Sequence, residues 1–123
     1  MTLIGAGVTL HACLRAAEIL DGDGIRARVI DCYSIKPIDV VTLTAAAGAT
    51  SGRVVIAEDH HLEGGLGSAV TDALLAAGQP NLVVAHLAVR GMPGSGSGAE
   101  LLAWAGIDAD HIAAAARRLI SGT

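Results

Sequence analysis

Short apolar runs alternate with segments of helical spacing along the whole chain. Thr2-Leu3-Ile4-Gly5-Ala6 is apolar and ends near a glycine, which predicts a buried strand. Gly7 to Leu20 predicts a helix: Leu10, Leu14 and Ala17 share one face, with Cys13 and Leu20 beside them. Thr9 is the expected N-cap, and Asp21-Gly22-Asp23-Gly24 the stop. Ile25 to Asp31 reads as a second strand, with Val29 and Ile30 inside and Arg26 and Arg28 on the alternate side. Ile35-Lys36-Pro37-Ile38-Asp39 then opens a second helix reaching about Gly48, because proline suits a first helical turn. Arg53 to Ala57 is the clearest β-branched run and predicts a third strand. Glu58 to Gly67 reads as a polar, glycine-rich loop before a third helix over Ser68 to Ala77, where Leu66, Val70, Ala73, Leu74 and Ala77 are spaced for one buried face. Asn81 to Leu87 is a fourth strand and Arg90 to Gly98 a loop. A short helix over Glu100 to Trp104 and a longer one over Asp108 to Ile120 follow. Asp108 is the expected N-cap of the last helix, and Arg117 and Arg118 sit at its negative end.

The order is β-α-β-α-β-α-β-α-α, and the strands lack polar alternation. Strands buried on both faces belong to a parallel sheet covered by helices, so the fold class is α/β. No repeat and no linker divides the chain, and its 123 residues predict one domain over 1–123. Composition sharpens this picture. The chain is 52% hydrophobic, but 24 Ala and 16 Gly supply about a third of all residues, which suits close packing of helix on sheet. There is no Phe, and Tyr33 and Trp104 are the only aromatic residues besides the histidines. Eight basic against twelve acidic residues, with no interleaved aromatics, argue against nucleic-acid binding. Despite a mean hydropathy of +0.56, no apolar run is long enough for a membrane span. A strand at the very start leaves no room for a signal peptide. Cys13 and Cys32 lack metal or redox spacing and read as small buried hydrophobes in a reducing cytoplasm.

Candidate chemistry is sparse. Gly5 and Gly7 flank the first strand–helix turn and are weak anion-site candidates, since helix-start N–H groups can hold phosphate. The third glycine of a dinucleotide fingerprint is missing, because Leu10 stands there, although Asp31 ends the second strand where a ribose-binding acid would be. Gly22-Asp23-Gly24 matches the opening triplet of the thiamine-diphosphate motif, but Asn81 is the only Asn, so the pair that must follow is absent. The densest polar cluster holds Glu58, Asp59, His60, His61, Glu63, Gly64, Gly65 and Gly67, after the carboxyl end of a strand. Two carboxylates and two histidines suit metal binding or acid–base work, yet adjacent histidines on an extended segment point opposite ways. The competing reading is a loop that hydrogen-bonds itself and a neighbouring surface. His11 and His111 are expected at helix surfaces, and His86 as a satisfied, half-buried histidine near a strand end.

Several segments taken in order carry a family resemblance. Ile4-Gly5-Ala6-Gly7-Val8-Thr9-Leu10-His11 resembles the opening of the C-terminal domain of transketolase, and Ser34-Ile35-Lys36-Pro37-Ile38-Asp39 resembles its IKP segment. Glu58-Asp59-His60 with Glu63-Gly64-Gly65-Leu66-Gly67-Ser68-Ala69-Val70 resembles its EDH–EGG stretch. His86 to Val89, Pro93, Ser95-Gly96, Glu100 to Leu102 and Gly106-Ile107-Asp108 complete the series. Related domains end deoxyxylulose-phosphate synthases and 2-oxo-acid dehydrogenase beta subunits; the IKP and EDH segments favour transketolase. The resemblance implies a three-layer αβα sandwich with a mostly parallel sheet. Its antiparallel edge strand lies, in the family, before the equivalent of Thr2, so this chain is expected to lack it and to expose a sheet edge. It further implies a structural and assembly module of an enzyme that transfers ketol units between sugar phosphates in the pentose phosphate pathway. No catalytic, cofactor-binding or metal residue is expected here, and thiamine diphosphate and Mg²⁺ belong to the complete enzyme. The expected partners are the remaining transketolase domains and a second copy, with the Glu58–Gly67 stretch and the sheet edge as contact surfaces. Two rival readings stand beside it: an anion- or nucleotide-binding module, and a partner-docking domain as in the dehydrogenase beta subunits. The stretch after His86 departs from the family in being rich in Gly and Ser (Gly91, Gly94, Ser97, Gly98).

Overall fold

In the computed structural model, residues 1–122 are described, and Thr123 lies outside them. The elements are β1 (Thr2–Gly5), α1 (Val8–Gly22), β2 (Arg28–Asp31), α2 (Val40–Ala49), β3 (Arg53–His61), α3 (Leu66–Ala76), β4 (Val83–Val89), α4 (Gly98–Ala105) and α5 (Ala109–Ser121). Four strands form one sheet in the order β2-β1-β3-β4, every pairing parallel. No antiparallel edge strand occurs among the described residues, and β2 and β4 are the edges.

Period-two alternation divides each central strand between two cores. Leu3 of β1 and Val55 and Ala57 of β3 pack with Ala12, Cys13, Ala16 and Leu20 of α1 and the alanines of α5. Ile4, Val54 and Ile56 point the other way, against Leu43 and Ala47 of α2 and Leu66, Val70 and Leu74 of α3. Both faces of the sheet are therefore covered, which makes three layers. Ala12 and Ala16 on α1 and Ala113 and Ala116 on α5 are fully buried, so small side chains set how closely these helices approach. α4 has no buried residue, and the buried Ile107 behind it anchors the segment.

Several boundaries differ from expectation for identifiable reasons. β2 begins at Arg28 and not Ile25, because its ladder starts where β1 starts, with Thr2 opposite Arg28. α2 begins at Val40 and not near Pro37. The Ser34 hydroxyl donates to the Pro37 carbonyl (2.7 Å) in a preceding turn, and Asp39 caps the helix by accepting from the Thr42 amide (3.0 Å) and hydroxyl (2.6 Å). β4 starts at Val83 and not Asn81, since Asn81 has φ 55°, a left-handed turn conformation. Thr9 is not the N-cap of α1; Gly7 holds that place, and the Thr9 hydroxyl bonds the Ala6 amide (3.1 Å) and carbonyl (2.9 Å). Arg117 does not serve the end of α5 but pairs with Asp23 (2.6 Å). Ser97 and Glu100 form a capping box that extends α4 back to Gly98. Asp108 caps α5 as expected, accepting from the His111 amide (3.0 Å). Among the described residues no helix is long and apolar enough to cross a membrane.

Candidate functional site

The polar cluster begins inside a strand, not in a loop. β3 continues to His61, which pairs with Val89 of β4, and two extra β3 residues are absorbed between Ala57 and His61. A bulge of this kind re-aims side chains. Here it leaves Glu58 buried at 3% exposure while Asp59, His60 and His61 face solvent.

Glu58 does its work inward. Its carboxylate accepts from the amides of Leu66 (2.9 Å) and Gly67 (2.7 Å), the first two residues of α3. It also bonds His86 Nε2 of β4. Gly65, at the N-cap, has no side chain to offer, so the Glu58 carboxylate, from the preceding strand, caps the helix and meets its positive end. This places the start of α3 at Leu66, two residues before the expected Ser68. The glycines follow from the same contact. A Cβ on Gly65 would collide with the Glu58 carboxylate, and one on Gly67 with the His86 ring. Gly64, at φ 72°, makes the left-handed turn that brings α3 back over the strand. The exposed His60 stands 3.7 Å from Glu58 and meets His61 edge-on, with ring centroids 5.9 Å apart.

The arrangement therefore joins Glu58, Gly65, Gly67 and His86 in one buried unit and leaves Asp59, His60, His61, Glu63 and Gly64 on the surface around it. His86 was expected to be a satisfied, half-buried histidine. Its pairing with Glu58 spans 28 residues of sequence, beyond the reach of any local pattern. The amides at Leu66 and Gly67, the natural place for an anion, are already bonded to the chain's own carboxylate.

The other candidates lie apart. Gly5 is packed tightly: a Cβ there would come within 2.8 Å of the Thr9 carbonyl. Gly7, at φ 60°, makes the turn into α1. Asp23 of the Gly22-Asp23-Gly24 triplet is held by the Arg117 guanidinium at 2.8 and 2.6 Å. Among the described residues no three His, Cys, Asp or Glu side chains gather closely enough to hold a metal ion. With Asp23 taken up by Arg117 and no Asn pair in the sequence, the Gly22-Asp23-Gly24 triplet does not fit a thiamine-diphosphate–metal site. Cys13 and Cys32 are free and buried. Burial pushes the Cys13 thiol up to about 12. Burial also raises Cys32, helped by the nearby carboxylates of Asp31 and Asp39.

Residues 1–112 match the family described as transketolase, C-terminal domain. The chain belongs to that family. It is 50% identical over 121 residues to human transketolase and 45% identical over 120 residues to transketolase-like protein 1 of Bos taurus, each match covering 98% of the chain. It spans 19% and 20% of those two proteins, about a fifth of the relatives' length. Among solved structures, a chain described as split gene transketolase, inactive beta4 tetramer superposes with a TM-score of 0.87 at 35% identity. That match covers 98% of this chain and 39% of the other.

Proposed function

We propose that this chain is a structural and assembly domain of a transketolase that does not turn over by itself. The observation that carries this is the build of the Glu58–Gly67 stretch, one of the segments that resemble the family: its buried acid and glycines, with His86, are spent on tying β3, β4 and α3 together. A catalytic carboxylate would face a substrate, whereas this one has three internal partners. The reaction it would support is ketol transfer between sugar phosphates, with thiamine diphosphate and a divalent metal held by other parts of the complete enzyme. Asp59, His60, His61, Glu63 and Gly64 would contact those parts or a second copy. That a similar chain is described as an inactive tetramer fits a module that assembles without being the catalyst. Two free, buried cysteines fit a reducing compartment such as the cytoplasm, and we take residues 1–123 as one unit.

The test has two arms. The 123-residue chain supplied with thiamine diphosphate, Mg²⁺, xylulose 5-phosphate and ribose 5-phosphate should show no turnover. A chimera in which this chain replaces the matching 121 residues of human transketolase should be active. Turnover by the lone chain, or calorimetric binding of thiamine diphosphate to it, overturns the reading.

A further inference from the structure

We propose that α4 is a flap, which unseats and unfolds locally while the rest of the domain stays folded and so uncovers the apolar gap beneath it. The flap is a property of the chain by itself and stands whether or not the transketolase reading does.

α4 is joined to the body less firmly than the other helices. α1, α2, α3 and α5 each bury side chains against the sheet, with Leu20, Leu43, Val70 and Ile112 at 2% exposure or less. α4 buries none. Its inner side chains, Leu101, Leu102 and Ala105, are half-buried, and Trp104 is 52% exposed. A gap of about 300 Å³ lies between them and Val8 of α1, Asp59 of β3 and Val89 of β4. A closely seated helix leaves no such space, because protein interiors fill almost all voids larger than a water molecule.

Polar bonds do not make up for this. Among the described residues, every hydrogen bond of the segment from Ser97 to Gly106 closes within 97–107. Ser97 and Glu100 cap the start on each other, and the Leu101 amide donates to the Ser97 carbonyl (3.0 Å). At the other end the Gly106 and Ile107 amides donate to the Ala103 and Leu102 carbonyls, both at 3.1 Å. The segment thus carries its own caps, and none of these bonds ties it to another element. Its two ends suit pivots. Residues 90–100 are all exposed and include Gly91, Gly94, Gly96 and Gly98. Gly106, at φ 72°, turns the chain into Ile107, which is buried and stays with the core. Eight residues are too few for a helix to persist in water by itself, where about 12–15 are needed. Once unseated, α4 therefore melts. An opening that breaks only these contacts costs far less than unfolding the sheet and both cores.

Hydrogen exchange of the 123-residue chain, read amide by amide by NMR, tests this. Amides 102–105 should exchange at least about 100-fold faster than amides 12–16 of α1 and 112–116 of α5. Low urea, which promotes openings that expose much surface, should speed the core amides and leave those of α4 nearly unchanged. Ser97→Ala removes a cap on the exposed surface. It should speed the α4 amides about fivefold, with α1, α5 and the urea midpoint unmoved. Amides 102–105 that exchange at the core rate and with the core response to urea overturn the proposal, since α4 then opens only when the whole domain unfolds. Rates for 102–105 equal to those of an unstructured peptide overturn it too, because a flap needs a seated state. So does a Ser97→Ala variant that speeds α4 and α5 alike.

Discussion

Replacing Glu58 by Ala should be among the most damaging single changes in the chain. The carboxylate is buried and has three partners: the Leu66 amide at 2.9 Å, the Gly67 amide at 2.7 Å and the His86 ring. Truncation leaves two helix-start N–H groups and a ring nitrogen facing a void. Each bond to a charged group carries about 1.5–3 kcal/mol, but the three are coupled and water can enter, so they do not add. Removing one partner of a buried pair typically costs about 3–5 kcal/mol, and that is the expected loss. At this chain length it corresponds to a fall in Tm of about 10–20 °C. Glu58→Gln keeps an acceptor for one amide and sets its own N–H₂ near the other, so a smaller loss of about 1–2 kcal/mol is expected. Urea titration followed by circular dichroism at constant m-value measures both. An Ala variant within about 0.5 kcal/mol of the parent, the range of an ordinary surface change, would refute the claim that this carboxylate organises β3, β4 and α3.

Three further outcomes follow from the same geometry. Gly67→Ala drives a methyl into the His86 ring and should cost about 1–3 kcal/mol; combining it with His86→Ala should cost less than the sum of the two, read from a double-mutant cycle. Cys13, with its thiol pushed up to about 12, should resist alkylation at pH 8 in the folded chain and react only once urea unfolds it, as intact-mass spectrometry can follow. The Asp39 carboxyl is held below its usual range by the hydroxyl and amide of Thr42. A lowered folded value means the stabilisation is present above the ordinary aspartate range and is lost as pH falls through the folded value. The acid side of the urea-midpoint profile should therefore be shallower in Asp39→Ala than in the parent.

Apolar runs and capping residues made most of the architecture legible. The run Arg53 to Ala57, the Asp108 cap and the two-faced burial of the strands follow from local chemistry. The misplacements have physical causes. Glu58 to His61 is polar and so reads as a loop, yet β4 runs far enough to keep it paired. Pro37 suits a helix start in isolation, but Asp39 supplies a better cap three residues before Thr42. The unit of Glu58 and His86 was invisible because its partners lie on different strands, and only folding sets them side by side. What hinted at it were the glycines of Gly64-Gly65-Leu66-Gly67: two of the three leave space that a carboxylate and an imidazole fill. The surface positions of Tyr33 and Trp104 follow from the fold, since Tyr33 stands beyond the end of β2 and Trp104 on α4, which has no buried residue.

On the proposed reading, this chain completes a transketolase structurally and supplies none of its catalytic groups. The ketol-transfer rate of the human chimera, measured beside the human enzyme and the lone 123-residue chain, tests it most directly. A chimera within about tenfold of the human rate, a difference of about 1.4 kcal/mol in barrier, is expected, with no turnover by the lone chain. An assembled chimera without activity, or a lone chain that transfers ketol units, would contradict it.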